Sequence, residues 1–492
     1  IEQQLHYFNN GIAKINLQKS ATIGDGIFHF STDEMEELFC YFDENKSQKV
    51  IIKFVPASGA ASRMFKFLSE FLSEFDIEKD TINSYINHKK QHDLNVFLIG
   101  IKNFPFYRDL KNKILEIFPS YQDFEKDKKD YLLIKTLLSS DYFDYSNKPK
   151  GVLPFHIKNN AVLTPVEEHI NETVFYKGIE DKPQVHFTIS KEHQPLFENI
   201  TNHHPEVAIS FSYQNGSTDT IAVNLDNTPF RKEDGSLFFR PGGHGALIEN
   251  LNQLESDILF VKNIDNVSQN HMDAILTYKK VLGGLLLKKQ AQIFTYLDKL
   301  ESHSVNENLI KEIELFAKEQ LNISLPINFD KFQSEYKIEL LFKELNRPIR
   351  ICGMVKNEGE PGGGPFWVKK ENGLSSLQIV ETSQINLKDK DQKKIVDQAT
   401  HFNPVDLVCG IKDFKNEKFD LTQFVDKNTG FIVEKNRNGK PVKSYELPGL
   451  WNGAMAHWIT IFVEVPLSTF NPVKTVNDLL KPSHQPLDKE MF

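Results

Sequence analysis

The chain has 492 residues, 40% of them hydrophobic, enough to bury at least one large core with additions around it. Its 58 basic residues stand against 67 acidic ones, a formal charge of −9, which argues against a protein that tracks nucleic-acid phosphates. Apolar runs such as the one inside Ile459 to Val465 fall far short of the roughly 18 residues of a membrane span. The three cysteines, Cys40, Cys352 and Cys409, are too scattered for a disulfide framework or a zinc site. A cytoplasmic protein with neither nucleic-acid nor membrane partners is expected.

Residues 1–48 are mixed and polar, with an amphipathic stretch from Met35 to Phe42, and read as an N-terminal extension. The β-branched run VIIKFVP (50–56) then predicts a strand, ASGAAS (57–62) a loop, and RMFKFLSEFLSEF (63–75) a helix. Residues 66–146, rich in Lys, Phe, Leu and Asp at helical spacing, predict a helical insertion. Further strands are expected at QVHFTIS (184–190), AISFSYQ (208–214), DILFVKNID (257–265) and ITIFVEVP (459–466), with mostly helix over 273–345. Such alternation favours a mainly parallel sheet with helices on both faces.

Ligands of open α/β sheets collect at the carboxyl ends of the strands, which singles out two segments. The first is Ala57-Ser58-Gly59-Ala60-Ala61-Ser62-Arg63, whose small side chains let backbone N–H groups approach phosphates, with Arg63 placed to neutralise charge. It lacks the GxxxxGK[ST] and GxGxxG spacings, and a plain strand-to-helix turn has the same composition. The second is Asn263-Ile264-Asp265-Asn266, where a carboxylate can hold magnesium against phosphate oxygens or serve as an ordinary turn residue. Just before it, Arg240-Pro241-Gly242-Gly243-His244-Gly245 packs glycines around one histidine, which admits a flat base or a phosphate close to the backbone.

These segments resemble the UDP-sugar pyrophosphorylases. PASGAASRM (56–64), KPKGVLPFH (148–156), RPGGHGALI (240–248), KNIDNV (262–267) and VPLSTFNPVKTVNDLL (465–480) follow that family's motif order. GGGPFWVKKENGLSSLQIVETSQI (362–385) and HFNPVD (401–406) resemble its sugar-side segments. The resemblance implies a Rossmann-like glycosyltransferase-A type fold over a catalytic domain at 49–480, with the sugar-side and phosphate-lysine part at 350–480 and a tail at 481–492. It also implies a magnesium-dependent reaction of a nucleoside triphosphate, UTP foremost, with a sugar 1-phosphate, giving a nucleotide sugar and pyrophosphate.

Carried over residue by residue, the resemblance assigns Arg63 and Lys150 to the triphosphate and Lys474 to the bridging phosphates. Ala57, Ser58, Gly59, Ala60, Gly243 and His244 go to the nucleotide, Asp265 to magnesium, and Asn403, Glu381 and Gly363 to the sugar side. Several departures stand out. Gly59 is the one glycine left in the first loop, about 85 residues separate Arg63 from Lys150, and Leu467 and Thr469 replace two arginines of the family pattern. Two other readings follow from them, a nucleotide-sugar sensor that binds without turnover and a glycosyltransferase. The latter ordinarily carries a DxD-type acid pair in place of the lone NIDN.

Overall fold

The structure is a computed structural model that describes residues 1–302, 305–359, 362–370, 372–437 and 440–487, without the side chains of 403–405, 436, 437 and 440. Its centre is a nine-stranded sheet. In chain order the strands are β1 (Thr22–Ile23), β2 (Gly26–Phe28), β3 (Ile51–Pro56), β4 (Gln184–Thr188), β5 (Ala208–Ser212), β6 (Ile258–Val261), β7 (Ile349–Lys356), β8 (His401–Gly410) and β9 (Ile459–Glu464). Their spatial order is β1-β2-β9-β7-β8-β6-β3-β4-β5. Neighbours pair in parallel except at β8, which is antiparallel to both β7 and β6.

The central strands are buried on both faces, which is why they read as continuous apolar runs rather than alternating ones. In β6, Ile258 and Phe260 join a core under helices, while Leu259 and Val261 join a core on the opposite face. The first face is covered by α1 (Thr32–Asn45), α2 (Pro165–Thr173), α3 (Met272–Glu301) and α4 (Ser334–Leu345). Helix α1 starts at a capping box, with Glu34 N donating to Ser31 Oγ and Ser31 N to Glu34 Oε2. Helix α2 starts the same way at Thr164 and Glu167, with Pro165 in its first turn.

The second face departs from the expected helical cover. There the short helix Leu247–Asn252 shares the work with a β-hairpin, Gly364–Lys369 and Ser375–Val380, whose Leu377 and Ile379 pack against Cys352, Met354 and Phe462 of the sheet. The strand alternation of this hairpin supplies the apolar face that a helix would otherwise provide. Residues 1–48 also do more than extend the domain. Strand β2 pairs with β9, Leu17–Ser20 pairs with the hairpin, and Phe42 of α1 packs edge-on against Phe260.

The insertion is helical as expected, with Lys66–Glu74, Ile82–Lys89, His92–Gly100, Tyr107–Ile117 and Lys126–Leu138 gathered on an aromatic core of Phe65, Phe71, Phe97, Phe104 and Phe106. Val473, Val476 and Leu479 of the last sequence motif enter that same core. The insertion therefore clamps the C-terminal segment beside the carboxyl ends of β3 and β6. The three cysteines are free thiols.

Candidate functional site

Four of the sequence motifs are knitted together at the carboxyl ends of β3 and β6. Lys150 N donates to Gly59 O (3.2 Å) and Ala61 N to Lys148 O (2.9 Å), fastening the Lys-Pro-Lys segment to the loop after β3. Val473 N donates to Asp265 O (3.1 Å), and Asn471 N to Asn266 Oδ1 (2.7 Å). Val476 N reaches Met64 O (3.1 Å), closing the circuit back to the first loop.

Lys150 stands at the centre. Its Nζ donates to Asp265 Oδ2 (2.8 Å) and to Val473 O (2.6 Å), with the two side chains 15% and 21% exposed. The two residues assigned separately to phosphate and to magnesium are thus one ion pair. Partial exposure leaves it reachable by a ligand while the surrounding protein strengthens its field relative to bulk water.

The loop after β3 is open. Ala57 is buried and its N–H donates to Thr188 O, but Ser58, Gly59 and Ala60 are exposed. Among the described residues their three backbone N–H groups donate to no protein acceptor. A Cβ on Gly59 would meet nothing within 4 Å, so packing does not require a glycine there, and small size matters only toward whatever approaches from outside. Consecutive free N–H groups at a strand end form an anion-binding concavity. Arg63, on the short turn that follows, is also exposed.

The Gly-Gly-His-Gly segment behaves differently. A Cβ on Gly245 would lie 1.9 Å from Pro448 O, so this glycine serves close packing against the Leu447-Pro448 strap, the plainer of the two readings of such a cluster. Gly243 has φ +81 and puts His244 against Trp451, ring to ring at 4.4 Å and edge-on. Burial pulls the His244 pKa down to about 4 against the attraction of Asp265. The imidazole is neutral at pH 7, a flat polar surface rather than a cation.

The remaining sequence candidates divide. Lys474 is exposed, with Nζ 5.8 Å from the centre of the ring of Phe402, the second residue of β8. Glu381 caps the turn Thr382–Gln384 in a reciprocal box with Gln384, a structural role. Gly363 is buried at the start of the hairpin and Asn403 belongs to β8, its side chain lying outside the described residues. Leu467 packs against the main core and Thr469 is buried, its hydroxyl donating to Pro466 O. Neither position supplies the cation of the family pattern.

Sequence reasoning missed the charges beneath the site. Lys53 of β3, Lys262 after β6, Lys279 of α3, Glu172 of α2 and Asp406 of β8 are all buried. Glu172 receives Lys53 (2.9 Å), Lys262 (3.1 Å), Lys279 (3.2 Å) and the Tyr176 hydroxyl (3.0 Å), while Asp406 receives Lys279 at 2.5 Å. Three ammonium groups hold the Glu172 carboxyl well below the usual range although burial opposes them. The signal was a lysine in the middle of the apolar run VIIKFVP, because a buried charge obliges the fold to supply partners.

No group of three or more His, Cys, Asp or Glu side chains that could hold a metal occurs among the described residues, nor does any helix there that is long and apolar enough to cross a membrane.

The model of the family described as "Domain of unknown function (DUF4301)" matches residues 1–485. The chain belongs to this family. No curated protein matches it. Among solved structures, the chain is similar to the uridine diphosphate N-acetylglucosamine pyrophosphorylase from Trypanosoma brucei in complex with inhibitor. The identity is 10% and the TM-score 0.47, over 94% of this chain and 72% of that one. It is also similar to a point mutant of UDP-glucose pyrophosphorylase from Leishmania major in complex with UDP-glucose. There the identity is 12% and the TM-score 0.41, over 97% and 73% of the two chains.

Proposed function

We propose that this DUF4301 member is a nucleotidyltransferase with a glycosyltransferase-A type sheet, joining a sugar 1-phosphate to the uridylyl group of UTP. The reading rests on this chain's own residues, and one observation carries it. Lys150 ties the open loop after β3, the Asp265 carboxylate and the Val473 carbonyl of the last motif into a single partly exposed point. In the reaction, a phosphate oxygen of the sugar 1-phosphate attacks the α-phosphorus of UTP. The bond from that phosphorus to the oxygen bridging to the β-phosphate breaks, and pyrophosphate leaves with the bond's electron pair.

Such a transfer needs positioning and charge neutralisation more than a protein nucleophile. The free N–H groups of Ser58, Gly59 and Ala60 bind phosphate oxygens, Lys150 and Arg63 neutralise charge developing on the leaving pyrophosphate, and Lys474 does so from the β8 side. Neutral His244 with Trp451 offers the base a flat wall. A lone carboxylate suits magnesium, which keeps waters and substrate oxygens as its other ligands, so Asp265 fits as its protein anchor. The ion would supply charge neutralisation across the phosphates.

The test screens sugar 1-phosphates against the four nucleoside triphosphates with magnesium and follows pyrophosphate release. Turnover with UTP and at least one sugar supports the reading. Saturable UTP or UDP-sugar binding without pyrophosphate release across the panel would instead establish a sensor, which Leu467 and Thr469 favour by withholding two cations at the end of the site.

A further inference from the structure

At the opposite, amino end of β7 and β9 lies a small, partly open cavity of about 30 Å³. It is walled by the loop Leu321–Ser324, the end of α4, the tip of the hairpin and the first residues of β9. The parallel strands separate it from the site above, since the loops after β3 and β6 leave their carboxyl ends while Trp458, Ile459 and Thr460 lead into the amino end of β9.

Its polar lining consists largely of donors. Trp458 is 3% exposed and its indole N–H has no hydrogen-bond partner. The buried Asn322 side-chain amide nitrogen has none either. Ser375 and Ser376 of the hairpin line it as well, the Ser375 hydroxyl donating to Gln18 Oε1 and the Ser376 oxygen accepting from Gln378 Nε2 (3.1 Å). Among the described residues the charged groups lining it are Arg347, Lys370 and Glu344, and Glu344 is already committed to Arg347 at 3.0 Å. Behind the wall, the fully buried Arg350 donates from Nε to Thr460 Oγ1 (2.9 Å) and from Nη1 to Trp451 O (2.5 Å), while its Nη2 has no partner.

Buried polar groups are ordinarily paired, and each exception asks for an explanation. Among the residues lining the hollow both exceptions are donors. The unpaired indole and amide N–H groups, with Arg347 and Lys370 facing one carboxylate among the described residues, make a donor-rich hollow that water, itself half donor, satisfies incompletely. A tetrahedral oxyanion accepts from several directions at once and cancels the charge. Burial and the neighbouring Arg347 also depress the Lys370 pKa, against the attraction of Glu344.

We propose that this cavity is a binding site for a compact phosphate-class anion, separate from the nucleotidyl-transfer site. The ligand is either inorganic phosphate or the phosphoryl end of a small monoester.

The experiment titrates sodium phosphate, and separately glycerol phosphate, into the full chain by calorimetry. It compares wild type with Lys370→Met, Trp458→Phe and, as the control at the other site, Lys150→Met. Trp458→Phe keeps the ring and removes the donor. Melting temperatures identify any variant that fails to fold, in which case the other cavity variant decides. The expected result is a saturable phosphate site weakened about tenfold or more in the cavity variants, the size of one lost charge-assisted bond, and still present in Lys150→Met, which alters phosphate binding only at the transfer site. A monoester affinity equal to or above that of phosphate assigns the metabolite source, and a lower one assigns the free ion. Absence of saturable binding, or binding that survives both cavity variants, overturns the proposal.

Discussion

Two sets of opposed charges lie within three residues of each other on the chain after β6, and they use the same chemistry to different ends. Lys262 belongs to the buried node with Lys53, Lys279, Glu172 and Asp406, in which Glu172 alone meets three ammonium groups. Asp265 belongs to the half-buried pair with Lys150, whose other partner is a single carbonyl. The node is buried and every charge in it is answered by protein. The pair is partly exposed to solvent and has free N–H groups beside it. Multiplicity of partners marks structure here, and scarcity of partners marks a site.

The largest expected effect breaks the node. Glu172→Gln leaves three buried ammonium groups with one carboxylate, and removing one partner of a buried ion pair typically costs about 3–5 kcal/mol. Chemical denaturation should show a loss of that size, and a stability within about 0.5 kcal/mol of wild type would mean that the node is not the support described.

The next effect concerns the pair. Lys150→Met and Asp265→Asn should each lower nucleotidyl transfer about 100- to 1000-fold, with a far smaller change in denaturation midpoint than Glu172→Gln. Asp265→Asn keeps the shape and removes the charge, so unaltered turnover and magnesium dependence in that variant would end the metal assignment. Lys474→Met sharpens the same contrast. Being exposed, Lys474 should matter less to turnover than Lys150 and leave the melting temperature where it is, because solvated charges add little to stability. Wild-type turnover in Lys474→Met would reduce the last motif to its structural role of holding Asp265 and the insertion.

The smallest effect is in pH. His186 is buried on β4 between Ser210 and Ser212, and burial lowers its pKa from 6.5 to about 4. Between those values the unfolded chain binds the proton and the folded one does not, so stability is present above 6.5 and falls as pH drops toward 4. His244 titrates in the same direction over the same window. Melting curves from pH 7 to pH 4 should decline, and His186→Gln should decline less steeply. A matching slope in that variant would remove His186 from the account.

Much of the frame was legible. The apolar runs at 50–56, 184–190, 257–265 and 459–466 became β3, β4, β6 and β9 because strands buried on both faces need continuous apolar sequence. The Phe-rich insertion became helices because its rings recur at helical spacing. The places of Lys150, Asp265 and the Gly59 loop followed from strand ends and motif order. The role of residues 1–48 was not legible, since a two- or three-residue strand such as β2 carries no periodicity and exists only because β9 offers it an edge.

By itself, then, the sequence determined the apolar strands β3, β4, β6 and β9 and the helical stretch at 66–146, each of them set by local pattern. Tertiary structure alone decided that Lys150 and Asp265 are partners across 115 positions, that Lys53 shares Glu172 with two other lysines, and that Trp458 and Asn322 keep unpaired donors around one cavity. Pairing is a property of distance in space, and a side chain's need for a partner is written in the sequence without the partner's address.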